Sequence, residues 1–131
     1  MDGSINQSAV AGSEMATNLP PELVPISWMC TGPVQYLEEG GRRFVHMQGL
    51  KVLVGKPPNQ TEQVMDALLA LNSPNPSYPT RLFLPASLGL GLNWHETAYI
   101  LGRAWVTWSW NNVPANQAPA AILADHLAAF Q

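Results

Sequence analysis

The sequence predicts an α+β domain: a mainly antiparallel sheet of about four strands in a meander, with helices packed on one face. Three observations predict it. Residues 34–48 read as a hairpin, because two β-favouring runs flank Gly40-Gly41. Near the C-terminus, Pro119, Ile122, Leu123, His126, Leu127 and Phe130 recur at helical spacing on one side. Between them, Val106-Thr107-Trp108-Ser109-Trp110 alternates bulky residues with hydroxyls, which is the period of a strand with Trp108 and Trp110 on one face.

The elements follow in order. Residues 1–18 are small and polar without periodicity, and predict a disordered tail ahead of one domain spanning 19–131. Pro20, Pro21 and Pro25 hold the chain extended, and the short apolar run 26–30 fits a first strand or a turn of helix equally well. Strands are expected at 34–37 and 42–48, with a third at 50–54 after Gly49, which marks a bulge or a bend. Lys56-Pro57-Pro58-Asn59 stops that strand. Thr61 is a good N-cap, and Val64, Met65, Leu68, Leu69 and Leu71 make one apolar face, so 61–72 predicts a helix. A proline-rich loop carrying Tyr78 leads to a strand at 81–84, closed by Pro85. The GLGLG run at 88–92 lacks dinucleotide-fingerprint spacing and reads as a close-packed loop. Residues 98–110 read as helical early and extended late, and Asn116 as the cap of the last helix.

Composition narrows the functional classes. The chain has 131 residues, suited to one domain with a real core. Charged residues make up 11 %, against a usual level of roughly 25 %. Six basic residues and a net charge of −3 cannot neutralise a run of phosphates, so nucleic acid is disfavoured as a partner. A surface so poor in charge suits coverage by a partner protein as well as it suits Ser/Asn/Thr/Gln solvation. The one cysteine excludes an internal disulfide, no apolar run reaches spanning length and no signal peptide appears, so a cytoplasmic protein without membrane association is expected.

Candidate chemistry is sparse. Cys30 is the only thiol, and nothing adjacent in sequence lowers its pKa, so a buried structural thiol is the plainer reading. His95 and Glu96 are the most polar point among the tryptophans and form a candidate base with its orienting acid, although strand neighbours point to opposite faces. His46 and His126 read as satisfied within their own elements. Three dispersed histidines and one cysteine do not show zinc-ligand spacing, and no metal or cofactor is expected. Four of the five tryptophans are Trp94, Trp105, Trp108 and Trp110, followed by Asn111-Asn112; core packing is the plainer reading for most of them. Trp94, in an expected loop with Asn93 and His95, is the member placed near a functional surface.

The order of these features resembles the ubiquitin-conjugating (E2-like) family. The residues carrying the resemblance are Gly32-Pro33, Gly40-Gly41, Tyr78-Pro79 ahead of a strand, Asn93-Trp94-His95, and the block from Gly102 to Trp110 ahead of the terminal helix. That block is similar to the G-x-x-W-x-x-W-S pattern of bacterial E2-like proteins encoded beside ubiquitin-like modifier and activating-enzyme genes. The resemblance covers roughly residue 30 to the end and implies a UBC-like fold. It also implies a role in modifier conjugation or antiviral defence, with a ubiquitin-like protein or its activating enzyme as partner and Trp94, Asn93, Tyr78 and Arg103 as contact residues. The departures are specific. Residues 93–131, where the family's catalytic cysteine belongs, contain none, and Cys30 lies far too early. The His-Pro-Asn triplet is absent, and a helix at 61–72 has no clear counterpart. The expectation is therefore a non-catalytic or divergent protein-binding module. The alternatives are a small enzyme centred on His95, and a structural or phage-type interaction protein of unrelated fold.

Overall fold

The computed structural model describes residues 19–72, 79–90, 92–109 and 113–131. The expected tail, Tyr78, Trp110, Asn111 and Asn112 lie outside the described residues. A 3-10 turn (Pro21–Leu23) runs into helix α1 (Val24–Ser27), and each begins with a proline in its first turn, where the missing N–H costs nothing. Leu23 and Ile26 are the buried anchors of this segment. The run 26–30 is therefore the end of a helical turn, from which Cys30 bridges to Leu50.

Strands β1 (Val34–Glu39) and β2 (Arg42–Val54) form the predicted hairpin, closed by Gly40 and Gly41 at φ 60° and 80°. A two-residue turn with both φ positive matches the right-handed twist of the flanking strands. The expected third strand at 50–54 is the second half of β2. The bulge lies between Met47 and Leu50, which face Ala67 and Met65 on β3, so β2 carries one extra residue there. The bulge shifts the alternation by one. Val45 and Met47 before it, and Leu50, Val52 and Val54 after it, all reach the same core. Gly49 supplies the φ of +72° this requires, and a Cβ there would collide with the Thr31 hydroxyl.

Residues 61–72 do not form a helix. Thr61–Ala70 is strand β3, paired with β2 on one side and β4 (Arg81–Phe83) on the other. Its C-terminal half is buried on both faces, Ala67 and Leu69 in one core and Leu68 and Ala70 in another, whereas Val64 is exposed. A two-sided strand loses the alternation that marks a strand, and its continuous run then satisfies the helical template too. Residues 98–110 are likewise not helical early. Strands β5 (Trp94–Ile100) and β6 (Arg103–Trp108) form a second hairpin, turning at Leu101 (φ 54°) and Gly102 (φ 78°).

The four-stranded sheet has the order β1-β2-β3-β4, antiparallel throughout. Helix α2 (Pro119–Leu127) and a closing 3-10 turn (Ala128–Phe130) pack with α1 on one face, burying Ile122, Leu123, Leu127 and Phe130. The cap of α2 is Ala118, with no side-chain hydrogen bond, rather than Asn116; Pro119 at the first position sets the start instead. The half of the other face around Phe44, Leu68, Ala70 and Phe83 is covered by the β5–β6 hairpin through Ile100 and Trp105, while Leu53 and Val64 on that face stay exposed. Leu84 joins the two sheets by exchanging backbone hydrogen bonds with Val106 at 2.8 and 2.9 Å.

Candidate functional site

Trp94 opens β5 and is not in a loop. It faces Trp108 across the ladder, with ring centroids 4.9 Å apart, and is half-buried against the core beneath α2. Trp108 also meets Phe130 at 5.0 Å and the His126 ring edge-on at 6.4 Å. The indole N–H groups of Trp94 and Trp108 are buried without a hydrogen-bond partner among the described residues. Trp105 is fully buried on the opposite face and donates its indole N–H to Ile100 O at 3.0 Å. One cluster in sequence thus divides between two cores.

The remaining predicted residues are dispersed. Asn93 is exposed, and its carbonyl accepts from Ser109 N at 3.0 Å. Glu96 lies 3.6 Å from Arg81, whose side chain is buried while the carboxylate side chain is 51 % exposed. His95 occupies the irregular position of β5 between Trp94 and Glu96; its side chain is outside the described residues. Arg103 lies over the Trp105 ring at 4.2 Å and pairs with Asp66 at 3.2 Å, on the sheet face away from the helices. Cys30 is far from all of these, half-buried beside α1 with Sγ 3.5 Å from Ile26 O. Burial pushes its thiol up to about 11, and Lys51 nearby offsets this only in part.

Two groupings were not legible in the sequence. The first is His46, Asp66, Arg103 and Trp105, drawn from β2, β3 and β6. His46 is not satisfied locally: its Nε2 is buried without a partner among the described residues, and its ring meets Trp105 edge-on at 6.0 Å. Burial lowers its pKa, opposed by the charge of Asp66 and assisted by Arg103. Asp66, a lone acid inside the apolar run 64–71, was the available signal. The second is a cleft of about 230 Å³ between the N-terminal turn, the first hairpin and the start of α2, lined by Leu23, Tyr36, Arg43, Leu71, Gln117 and Ile122. Tyr36 donates its hydroxyl to Glu38 at 3.0 Å and is therefore already engaged at the rim.

A third polar feature is structural. Thr80 donates its hydroxyl to Val113 O at 2.9 Å, so the 2.9 Å contact with His126 is donated by the ring's Nε2–H. His126 is 4 % exposed, and burial lowers its pKa to about 4. The bond ties the 113–118 segment and the start of β4 to α2.

Among the described residues no three His, Cys, Asp or Glu side chains group to hold a metal ion. No described helix is long and apolar enough to cross a membrane. Among the described residues, the large apolar side chains of Trp28 and Tyr99 are 72 % and 76 % exposed. No protein-family model matches the chain, and no curated protein or solved structure matches it either.

Proposed function

We propose that this chain is an E2-like protein-binding module of a bacterial ubiquitin-like conjugation or antiviral-defence pathway, acting without a thioester of its own. The state of Cys30 carries the reading. Thioester chemistry needs an accessible thiolate. Burial pushes the Cys30 pKa up to about 11, so it is a thiol rather than a thiolate at neutral pH. Supporting it is the antiparallel meander in chain order, after a short helix and before a terminal one. Because 61–70 is a strand, the inserted helix that would separate the chain from the E2-like pattern is absent. Trp28, at the end of α1, and Tyr99, on β5, are each exposed on a charge-poor chain and are separate candidate contacts for protein.

The test mixes the purified chain with the ubiquitin-like protein and the activating enzyme encoded by its neighbouring genes. A complex with at least one at micromolar concentration, unchanged in Cys30→Ser, is the expected result. No complex with either overturns the reading. A reductant-sensitive adduct with the modifier that disappears in Cys30→Ser would overturn its non-catalytic part.

A further inference from the structure

The part of the sheet that the β5–β6 hairpin leaves open carries a square of four side chains. Lys51 and Leu53 stand two residues apart on β2, with Val64 and Glu62 directly across from them on β3. All four share the face away from the helices, because Leu50, Val52 and Val54, which alternate with them, turn into the opposite core. Leu53 is 42 % and Val64 51 % exposed, and β4 reaches only Leu68–Ala70 of β3, short of this square. One diagonal, Leu53 to Val64, is therefore apolar. The other runs from a cation, Lys51, to an anion, Glu62. Among the described residues neither of these two side chains has an ion pair or a hydrogen bond.

We infer that this face is the contact between two copies of the chain, packed face to face about a twofold axis along the Leu53–Val64 diagonal. That axis sets Lys51 of each copy on Glu62 of the other, and sets Leu53 and Val64 each on its own counterpart. Other simple axes fail on charge. A twofold along or across the strands sets each charge on an apolar side chain, and one along the Lys51–Glu62 diagonal sets like charge on like. The pattern thus complements itself, which is what a second copy requires and an unrelated partner does not.

The geometry is that of known sheet packing. With strands about 4.8 Å apart and alternate residues about 6.8 Å apart, the axis lies roughly 35° from the strands. The two sheets then cross at roughly 70°, near the orthogonal class. Packed sheets stand about 10 Å apart, a gap that extended lysine and glutamate side chains close from either side. The patch is small, so association is weak, with a dissociation constant of roughly 10–100 µM. The inference is carried by register and charge and does not depend on the conjugation pathway.

The test is sedimentation velocity of the full chain across concentrations spanning that range, where a monomer–dimer equilibrium is expected. Lys51→Glu and Glu62→Lys, each alone, make both facing charge pairs alike and should weaken self-association about tenfold or more. Mixed in equal amounts, the two variants should form a heterodimer, because every facing pair is then opposite in charge. Leu53→Lys sets like charge on like at the axis and should leave a monomer. None of these substitutions reaches the core, and a dispersed amide spectrum confirms that each variant is folded. A monomer at every concentration, a dimer unchanged in both charge variants, or no recovery on mixing them overturns the inference. A monomeric chain whose complex with the modifier or its activating enzyme is lost in Leu53→Lys also overturns it, because the occupant is then that protein. A chain that dimerises as expected but binds neither product of its neighbouring genes overturns the proposed function and leaves this inference standing.

Discussion

At the scale of single residues, the histidines decide how the protein responds to acid. His126 is held neutral in the fold with a pKa of about 4, against an ordinary value of 6.5. Between these values the unfolded chain binds a proton that the folded chain refuses, so the stability contributed by the neutral His126 is complete above about pH 6.5 and is lost as the pH falls towards 4. The full shift corresponds to about 3 kcal/mol. His46, lowered for the same reason, adds in the same direction. Urea unfolding between pH 4 and 7 should show this slope, and His126→Gln, which keeps a donor for Thr80 without the titration, should flatten most of it. A slope unchanged in that variant would remove His126 from the account. The sequence marks His126 as a core position of a helix, but its partner Thr80 lies 46 residues away. No local pattern reports a pairing at that range.

At the scale of elements, the second hairpin is held by Trp105. Its ring is fully buried between Phe44, Phe83 and Leu68, with Arg103 stacked on it and His46 at its edge. Trp105→Ala should cost about 3–5 kcal/mol in denaturant unfolding, whereas the exposed Trp28→Ala should stay within about 0.5 kcal/mol. Equal effects would mean that the hairpin is not part of the cooperative core. The elements also show which sequence signals can be read. The first hairpin and α2 were legible because each has one buried face and a turn or proline at its boundary. β3 was not, because burial on both faces erases its alternation, and its apolar residues then match a helical stripe equally well. β5 was missed for a related reason: exposed Thr97 and Tyr99 frame an Ala98 too small to mark an inward position. Of the candidate site, Arg103 and Glu96 were visible as charges. Asp66 and Arg81, the groups that hold them, come from other strands and could not be matched to them by spacing.

At the scale of the whole molecule, one twisted sheet is shared by two unlike layers, helices on one side and a hairpin folded from its own continuation on the other. Some of the few charges present hold elements together. Arg103 with Asp66 and Arg81 with Glu96 tie the hairpin to the sheet, and Glu39 reaches its tip. This arrangement gives the bulge at Gly49 a meaning beyond local shape. It acts as a phase marker for all that follows in β2. Loss of that single residue would put Leu50, Val52 and Val54 on the side now taken by Lys51 and Leu53, and turn Lys51 inward. A one-codon deletion at residue 49 should therefore abolish folding, seen as loss of dispersed amide resonances, where a residue lost from the exposed 56–59 turn should not. The chain tolerates change in its loops, but in β2 it must be read in frame twice, once by the ribosome and once by the sheet.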